Sequence, residues 1–123
     1  TNYEAPLMKA NAWLQGAEPI PGALTYSYFI TDGEPNRYQN NANQSVFSSA
    51  EVVMNEITGV TDAVNDVALL KSLSTEVIGV GINIGAATLA NVAVIDSNGV
   101  ALNITQASQL DVALAAVSPL NLI

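Results

Sequence analysis

Leu24-Thr25-Tyr26-Ser27-Tyr28-Phe29-Ile30-Thr31-Asp32-Gly33-Glu34-Pro35 is the stretch that decides the fold. Its first eight residues, Leu24 to Thr31, are rich in β-branched and aromatic side chains and bulky on both faces, which predicts a buried strand. Gly33 and Pro35 then impose a turn, so Asp32 and Glu34 stay at the strand's carboxyl end instead of being carried off into a helix. In an open α/β sheet, ligands bind outside the carboxyl ends of strands, and a carboxylate held there suits a cation. Two other readings of the same residues stand beside it. Asp32 can serve as a turn residue that accepts from local backbone donors, or it can pair with Glu34 for acid and base work.

Helices and strands alternate on either side of this stretch. Asn2 is placed to cap a first helix with an inner stripe of Tyr3, Leu7, Ala10 and Leu14, Pro6 in its first turn and Gly16 as its stop; Trp13 reads as packing. Residues 37–44 form a polar, Asn- and Gln-rich loop bordering the candidate site. Val46, Phe47, Ala50, Val53, Met54 and Ile57 have helical spacing, with Gly59 as the stop. Asp62 is expected to cap a helix over 63–73, with Asp62 and Asp66 on its solvated face near Lys71. Residues 76–82 read as a parallel strand and 85–90 as a brief helix. The two apolar runs 92–95 and 100–104 flank Asn98-Gly99, which predicts a hairpin. Thr105 then caps a last helix, 106–117, with Leu110, Ala113, Leu114 and Val117 inward and Ser118-Pro119 ending it.

Composition narrows the chemistry. The 123 residues suit a single domain, and a net charge of -8 with only Lys9, Arg37 and Lys71 as cations argues against nucleic acid and anionic membrane surfaces as partners. The chain has neither cysteine nor histidine, so thiol and imidazole catalysis and the usual zinc sites are excluded. Any metal must be held by oxygen, which points to Mg²⁺ or Ca²⁺. No apolar run reaches the roughly 18 residues of a membrane span, and Thr1-Asn2-Tyr3-Glu4 is unlike a signal peptide.

Three pieces in order, Thr1-Asn2-Tyr3-Glu4, Tyr28-Phe29-Ile30-Thr31-Asp32-Gly33-Glu34-Pro35 and Val77-Ile78-Gly79-Val80-Gly81, resemble the later half of a von Willebrand factor A (VWA) domain. The likeness is closest to the copies in large bacterial surface adhesins of the calcium-binding RTX type. It implies an α/β, three-layer, Rossmann-like fold, truncated, with a mostly parallel sheet and an edge hairpin, residues 1–123 forming a partial domain. It also implies a non-enzymatic adhesion or protein-interaction module at the bacterial cell surface or outside the cell. In such domains a metal-ion-dependent adhesion site leaves one coordination position for a carboxylate of the protein ligand. Thr1 then matches the threonine of the second metal loop and Asp32 the aspartate of the third, with Glu34 orienting a metal-bound water from behind.

The chain departs from the family at its front, where the Asp-x-Ser-x-Ser loop and first strand have no counterpart. Thr1 and Asp32 are too few ligands for Mg²⁺, so weak or absent metal binding is expected of this chain and metal binding of its parent domain. Without the first strand, residues 24–31 become a sheet edge, which predicts self-association. Two competing classes remain. Gly79, Gly81 and Gly85 follow a strand with spacing that suits a nucleotide-binding, Rossmann-like enzyme, and a structural spacer in a large secreted protein needs no site at all.

Overall fold

The computed structural model describes residues 1–18 and 20–117. In chain order the elements are α1 (Glu4–Gly16), β1 (Tyr26–Thr31), β2 (Arg37–Gln39), β3 (Ser45–Phe47), α2 (Ala50–Ile57), α3 (Asp66–Leu73), β4 (Glu76–Ile82), α4 (Ala86–Ile95), β5 (Leu102–Ile104), a 3₁₀ turn (Ala107–Gln109) and α5 (Leu110–Val117). The fold is α/β, with a sheet of order β1-β4-β5 and a separate β2-β3 hairpin. The residues cluster into two compact units, one of Thr1–Ser27 with Glu34–Val77, the other of Tyr28–Gly33 with the described residues from Ile78 onward.

In the first unit, Asn2 starts α1 as expected, its Oδ1 accepting from Ala5 N–H at 3.0 Å. The buried line of the helix is Glu4, Leu7 and Asn11, whereas Ala10 and Leu14 are only half-buried. Trp13 is 73% exposed, so it is not a packing residue. α2 begins at Ala50, not Val46, because Ser49 caps it through Val52 N–H while Val46 and Phe47 belong to β3. Its buried residues Val53 and Ile57 are four apart, one helical turn, and Gly59 at φ 75° ends it.

The next helix starts later than Asp62 predicts. Val60 and Thr61 N–H both donate to Asn55 O, which keeps them wound on the end of α2. Asn65 is therefore the first residue free to cap, and its Oδ1 accepts from Ala68 N–H at 2.8 Å. Of the inner face that the spacing over 63–73 predicts, Ala63, Val64, Val67 and Leu70, only Val67 and Leu70 are buried; Ala63 and Val64 precede the helix and are exposed, and Asp66, which the sequence placed on a solvated face, is buried.

The polar loop is a hairpin. β2 and β3 pair antiparallel with Arg37 opposite Phe47, Tyr38 opposite Val46 and Gln39 opposite Ser45. Asn40 shapes its turn: the side-chain Oδ1 accepts from Ala42 N–H at 3.0 Å and Gln44 N–H at 2.9 Å. Asn43 adopts φ 58°, a left-handed conformation that asparagine tolerates better than most residues.

The second unit is built on β4, the middle strand, in which Ile78, Gly79, Val80 and Gly81 are all buried. β5 runs parallel to it, with Val80 opposite Leu102 and Ile82 opposite Ile104. The hairpin expected at 92–104 is thus absent, and the antiparallel hairpin of the fold is the one at 37–47. The Asp96-Ser97-Asn98-Gly99 turn does form, with Gly99 N–H donating to Asp96 O at 3.2 Å. It connects α4 to β5, because 86–95 is helical. Its buried side chains, Val92 and Ile95, are spaced for one helix face, and alanines fill much of the rest. The last helix begins with a 3₁₀ turn and a Gln106–Gln109 capping box rather than with Thr105 as cap. Leu110, Ala113 and Leu114 are half-buried there, while the inward placement of Val117 and the stop at Ser118-Pro119 fall outside what is described.

Among the described residues β1 is the end strand of the β1-β4-β5 order. It starts at Tyr26, with Leu24 exposed, and it is not buried on both faces: Phe29 and Thr31 are buried, Tyr28 and Ile30 are 38% and 40% exposed.

Candidate functional site

Asp32 stands directly beyond β1 with an exposed side chain. The turn's local backbone donor is served by its neighbour: Gly33 N–H donates to Thr31 Oγ1 at 3.2 Å. No described residue hydrogen-bonds the Asp32 carboxylate, so the turn-capping reading of Asp32 fails on geometry. That group is free for a ligand at the carboxyl end of the strand.

Thr1 and Glu34 belong to the first unit, Asp32 to the second. The Thr1 ammonium donates to Asn36 Oδ1, and Asn36 N–H returns a bond of 3.0 Å to Thr1 O. Asn36 O also accepts from Ser48 N–H at 3.0 Å, so this asparagine joins the chain start to the entry of α2. Asn2 reinforces the arrangement by donating to Gln39 Oε1 at 2.7 Å. Glu34 is exposed, and the next residue, Pro35, is fully buried and anchors the turn.

A hard cation requires about six converging oxygens. Among the described residues no group of three or more acidic side chains is disposed to hold a metal. The atoms of Thr1 that are tied down are its ammonium and carbonyl, both engaged by Asn36.

The acids that the sequence reading missed are buried ones. Glu4 is 2% exposed and its Oε2 accepts from Gln39 N–H at 2.9 Å. Burial raises its pKa, the Gln39 bond opposes that, and the charges of Asp66, Glu56 and Asp62 add to the rise. Asp66 is raised by burial and by Asp62. Asn11, two turns beyond Glu4 on α1, donates to Asp66 O at 3.0 Å and leaves its own buried Oδ1 unpartnered. The signal was present in the sequence: Glu4, Leu7 and Asn11 are spaced three and four apart, the same helical line.

In the second unit Asp96 is also buried. Its Oδ2 accepts from Gly79 N–H at 2.9 Å and its Oδ1 from Asn98 N–H at 2.7 Å, which fixes the end of α4 to the middle strand. The glycines of β4 serve the same packing. A Cβ on Gly79 would lie 2.9 Å from Val92 Cγ1 and 3.0 Å from Val92 O, and one on Gly81 would lie 2.2 Å from Ile84 Cδ1. Only Gly85 stands at a helix start, as the residue before α4. Gly79 and Gly81 thus face protein atoms within the strand, not an open turn where a pyrophosphate approaches.

These features define an α/β protein with a parallel β4-α4-β5 unit and an unengaged carboxylate beyond its end strand. Comparison of the chain with protein-family models, curated proteins and solved structures finds no match. Among the described residues no helix is long and apolar enough to cross a membrane.

Proposed function

We propose that the chain is part of a VWA-type adhesion or protein-interaction module of a bacterial surface protein, in which Asp32 contributes to recognition of a protein ligand. The observation that carries this reading is Asp32 itself, exposed at the carboxyl end of a sheet strand while Thr31 performs the backbone work of the turn. The order of the chain's pieces, Thr1-Asn2-Tyr3-Glu4 before the β1 strand and β4, adds support by resemblance. Mg²⁺ or Ca²⁺ ligation belongs, in this proposal, to a parent domain that also supplies an Asp-x-Ser-x-Ser loop. A carboxylate of the partner is the group such a site would accept. The glycine-based nucleotide reading is the weaker one, since Gly79 and Gly81 are occupied by packing.

Two measurements test the proposal. Calorimetric titration of the chain with Mg²⁺ and with Ca²⁺ is expected to give dissociation constants weaker than about 1 mM, as for an incomplete oxygen cage. Micromolar affinity that disappears in Asp32→Ala would mean that these residues form a whole site. The residues encoded immediately upstream of Thr1 provide the second: an Asp-x-Ser-x-Ser sequence there supports the assignment, and an upstream stretch without one removes its basis.

A further inference from the structure

A hollow in the first unit is lined by polar side chains from two neighbouring stretches. Residues 38–41 of the β2-β3 hairpin supply one group, and Glu56, Thr61 and Asp62, at the end of α2 and just beyond it, supply the other. β2 packs on α2, which holds the two stretches together around a volume of about 310 Å³. That is the small end of the roughly 300 to 1,000 Å³ of small-molecule sites, with room for one ring. We propose that this hollow binds a neutral sugar ring, its carboxylates and carboxamide bonding adjacent hydroxyls of the sugar.

Hydrogen bonds within the fold divide the lining groups into two sets. One set builds the frame. Asn40 Oδ1 accepts from Ala42 and Gln44 N–H, Gln39 Oε1 accepts from Asn2 Nδ2 at 2.7 Å, and Thr61 Oγ1 donates to Glu56 Oε1 at 2.5 Å. The other set has no such duty: the Asp62 carboxylate, the second Glu56 oxygen, the Asn41 carboxamide and the Tyr38 hydroxyl bond no described residue. Asp62, Glu56 and Tyr38 are half-buried all the same. Polar groups drawn out of solvent in this way are satisfied by water or by a ligand.

The chemistry of the unengaged set selects the ligand. Carboxylates only accept, whereas a carboxamide and a phenol both donate and accept. Neighbouring sugar hydroxyls match that mixture, since one can donate to Asp62 or Glu56 while the next accepts from Asn41. Hydroxyl donation to a carboxylate is among the stronger hydrogen bonds. Tyr38 adds an apolar ring body beside its polar tip, suited to the C–H face of a sugar. An anion is repelled by two carboxylates whose charges reach as far as buried Glu4. A cation uses the acceptors alone and sets its charge against the Asn41 amide donors, and ion pairs open to solvent are worth little.

The methyl glycosides of glucose, mannose and galactose differ at C2 and C4 and so present different hydroxyl pairs. Titrated into the ¹⁵N-labelled chain, at least one is expected to saturate with Kd on the order of 1 mM, the usual efficiency for a ligand of this size. The signals that move should include the Asn41 side-chain amide and the Asp62 backbone amide. The uronate of the sugar that binds should bind at least ~10-fold more weakly. Asp62→Ala should weaken binding at least ~10-fold and Asn41→Ala at least ~3-fold, with the circular dichroism spectrum unchanged because neither side chain bonds the rest of the chain. Asp32→Ala should leave sugar binding as it is, so failure here and failure of the Asp32 reading are separate results. No saturation by any of the three sugars at about 50 mM, undiminished binding in either variant of the hollow, a uronate that binds as tightly as its neutral sugar, or spermidine binding more tightly than every sugar and released by salt would each overturn the proposal.

Discussion

Gly79→Ala and Gly81→Ala place the same methyl group on the same strand, yet the structure assigns them different costs. At Gly79 the new Cβ meets Val92 Cγ1 at 2.9 Å and the Val92 carbonyl oxygen at 3.0 Å. A helix backbone atom cannot rotate away, so α4 must shift as a body, and it is held to Gly79 N–H by Asp96. Overpacking of this kind costs about 2 to 3 kcal/mol, the upper part of its usual range. Alanine returns about 0.5 to 1 kcal/mol through the lower chain entropy of the unfolded state. The net expectation is a loss of about 1 to 2.5 kcal/mol, or roughly 4 to 10 °C in Tm at about 4 °C per kcal/mol for a chain of this size.

At Gly81 the nearest atoms are Ile84 Cδ1 at 2.2 Å and Cγ1 at 2.7 Å, the outer end of a half-buried side chain that can change rotamer. Rotation and entropy gain then nearly cancel, to within about 0.5 kcal/mol. Thermal and urea unfolding of the two variants, followed by circular dichroism, measures the difference directly. Equal costs, or a larger cost at Gly81, would refute the packing account of these glycines. A phosphate-cradling role predicts a different pattern, with both variants stable and nucleotide binding lost.

Two further outcomes follow from the acids. Glu4 and Asp66 have raised pKa values when folded, so the folded chain binds protons more tightly than the unfolded one. Their contribution to stability therefore grows as pH falls from neutral through the raised values and is complete below the unfolded values, near 4. Urea unfolding should show this gain as the pH is lowered from neutral toward the unfolded values near about 4, and Glu4→Gln, which keeps an acceptor for Gln39 N–H, should flatten it; a steeper loss of stability on acidification in the parent chain than in the variant refutes it. The exchange Asp→Asn should cost about 1 to 3 kcal/mol at Asp96, where it turns an amide donor toward a buried N–H, and less than about 0.5 kcal/mol at Asp32. Chemical denaturation checks both, and a large loss at Asp32 would give that residue a structural duty.

The elements legible in the sequence were those whose spacing and boundaries agree. α1 with its Asn2 start, the Val53 and Ile57 face of α2, and β4 all follow from periodicity. Misreadings arose where a local signal served another partner. Asn98-Gly99 does make a turn, but a turn motif does not specify what it connects, and Val92 and Ile95 are as compatible with a helix face as with a strand. The hairpin at 37–47 was hidden because each strand has only three residues and its turn is made by a side chain, Asn40, rather than by an Asn-Gly pair. Of the candidate site, the position of Asp32 was legible. Its freedom was not, since that depends on Thr31 taking the Gly33 amide.

The acids of this chain divide by what their oxygens do. Asp96 accepts two backbone N–H groups and Glu4 accepts one, while Asp66 is the first residue of α3, where unpaired amides and the helix dipole favour negative charge. Removing a carboxylate from water is unfavourable, and the backbone N–H groups that Asp96 and Glu4 accept offset part of that cost, whereas burial of Asp66 raises its pKa. Asp32 has no such duty and stays in solvent at the end of β1.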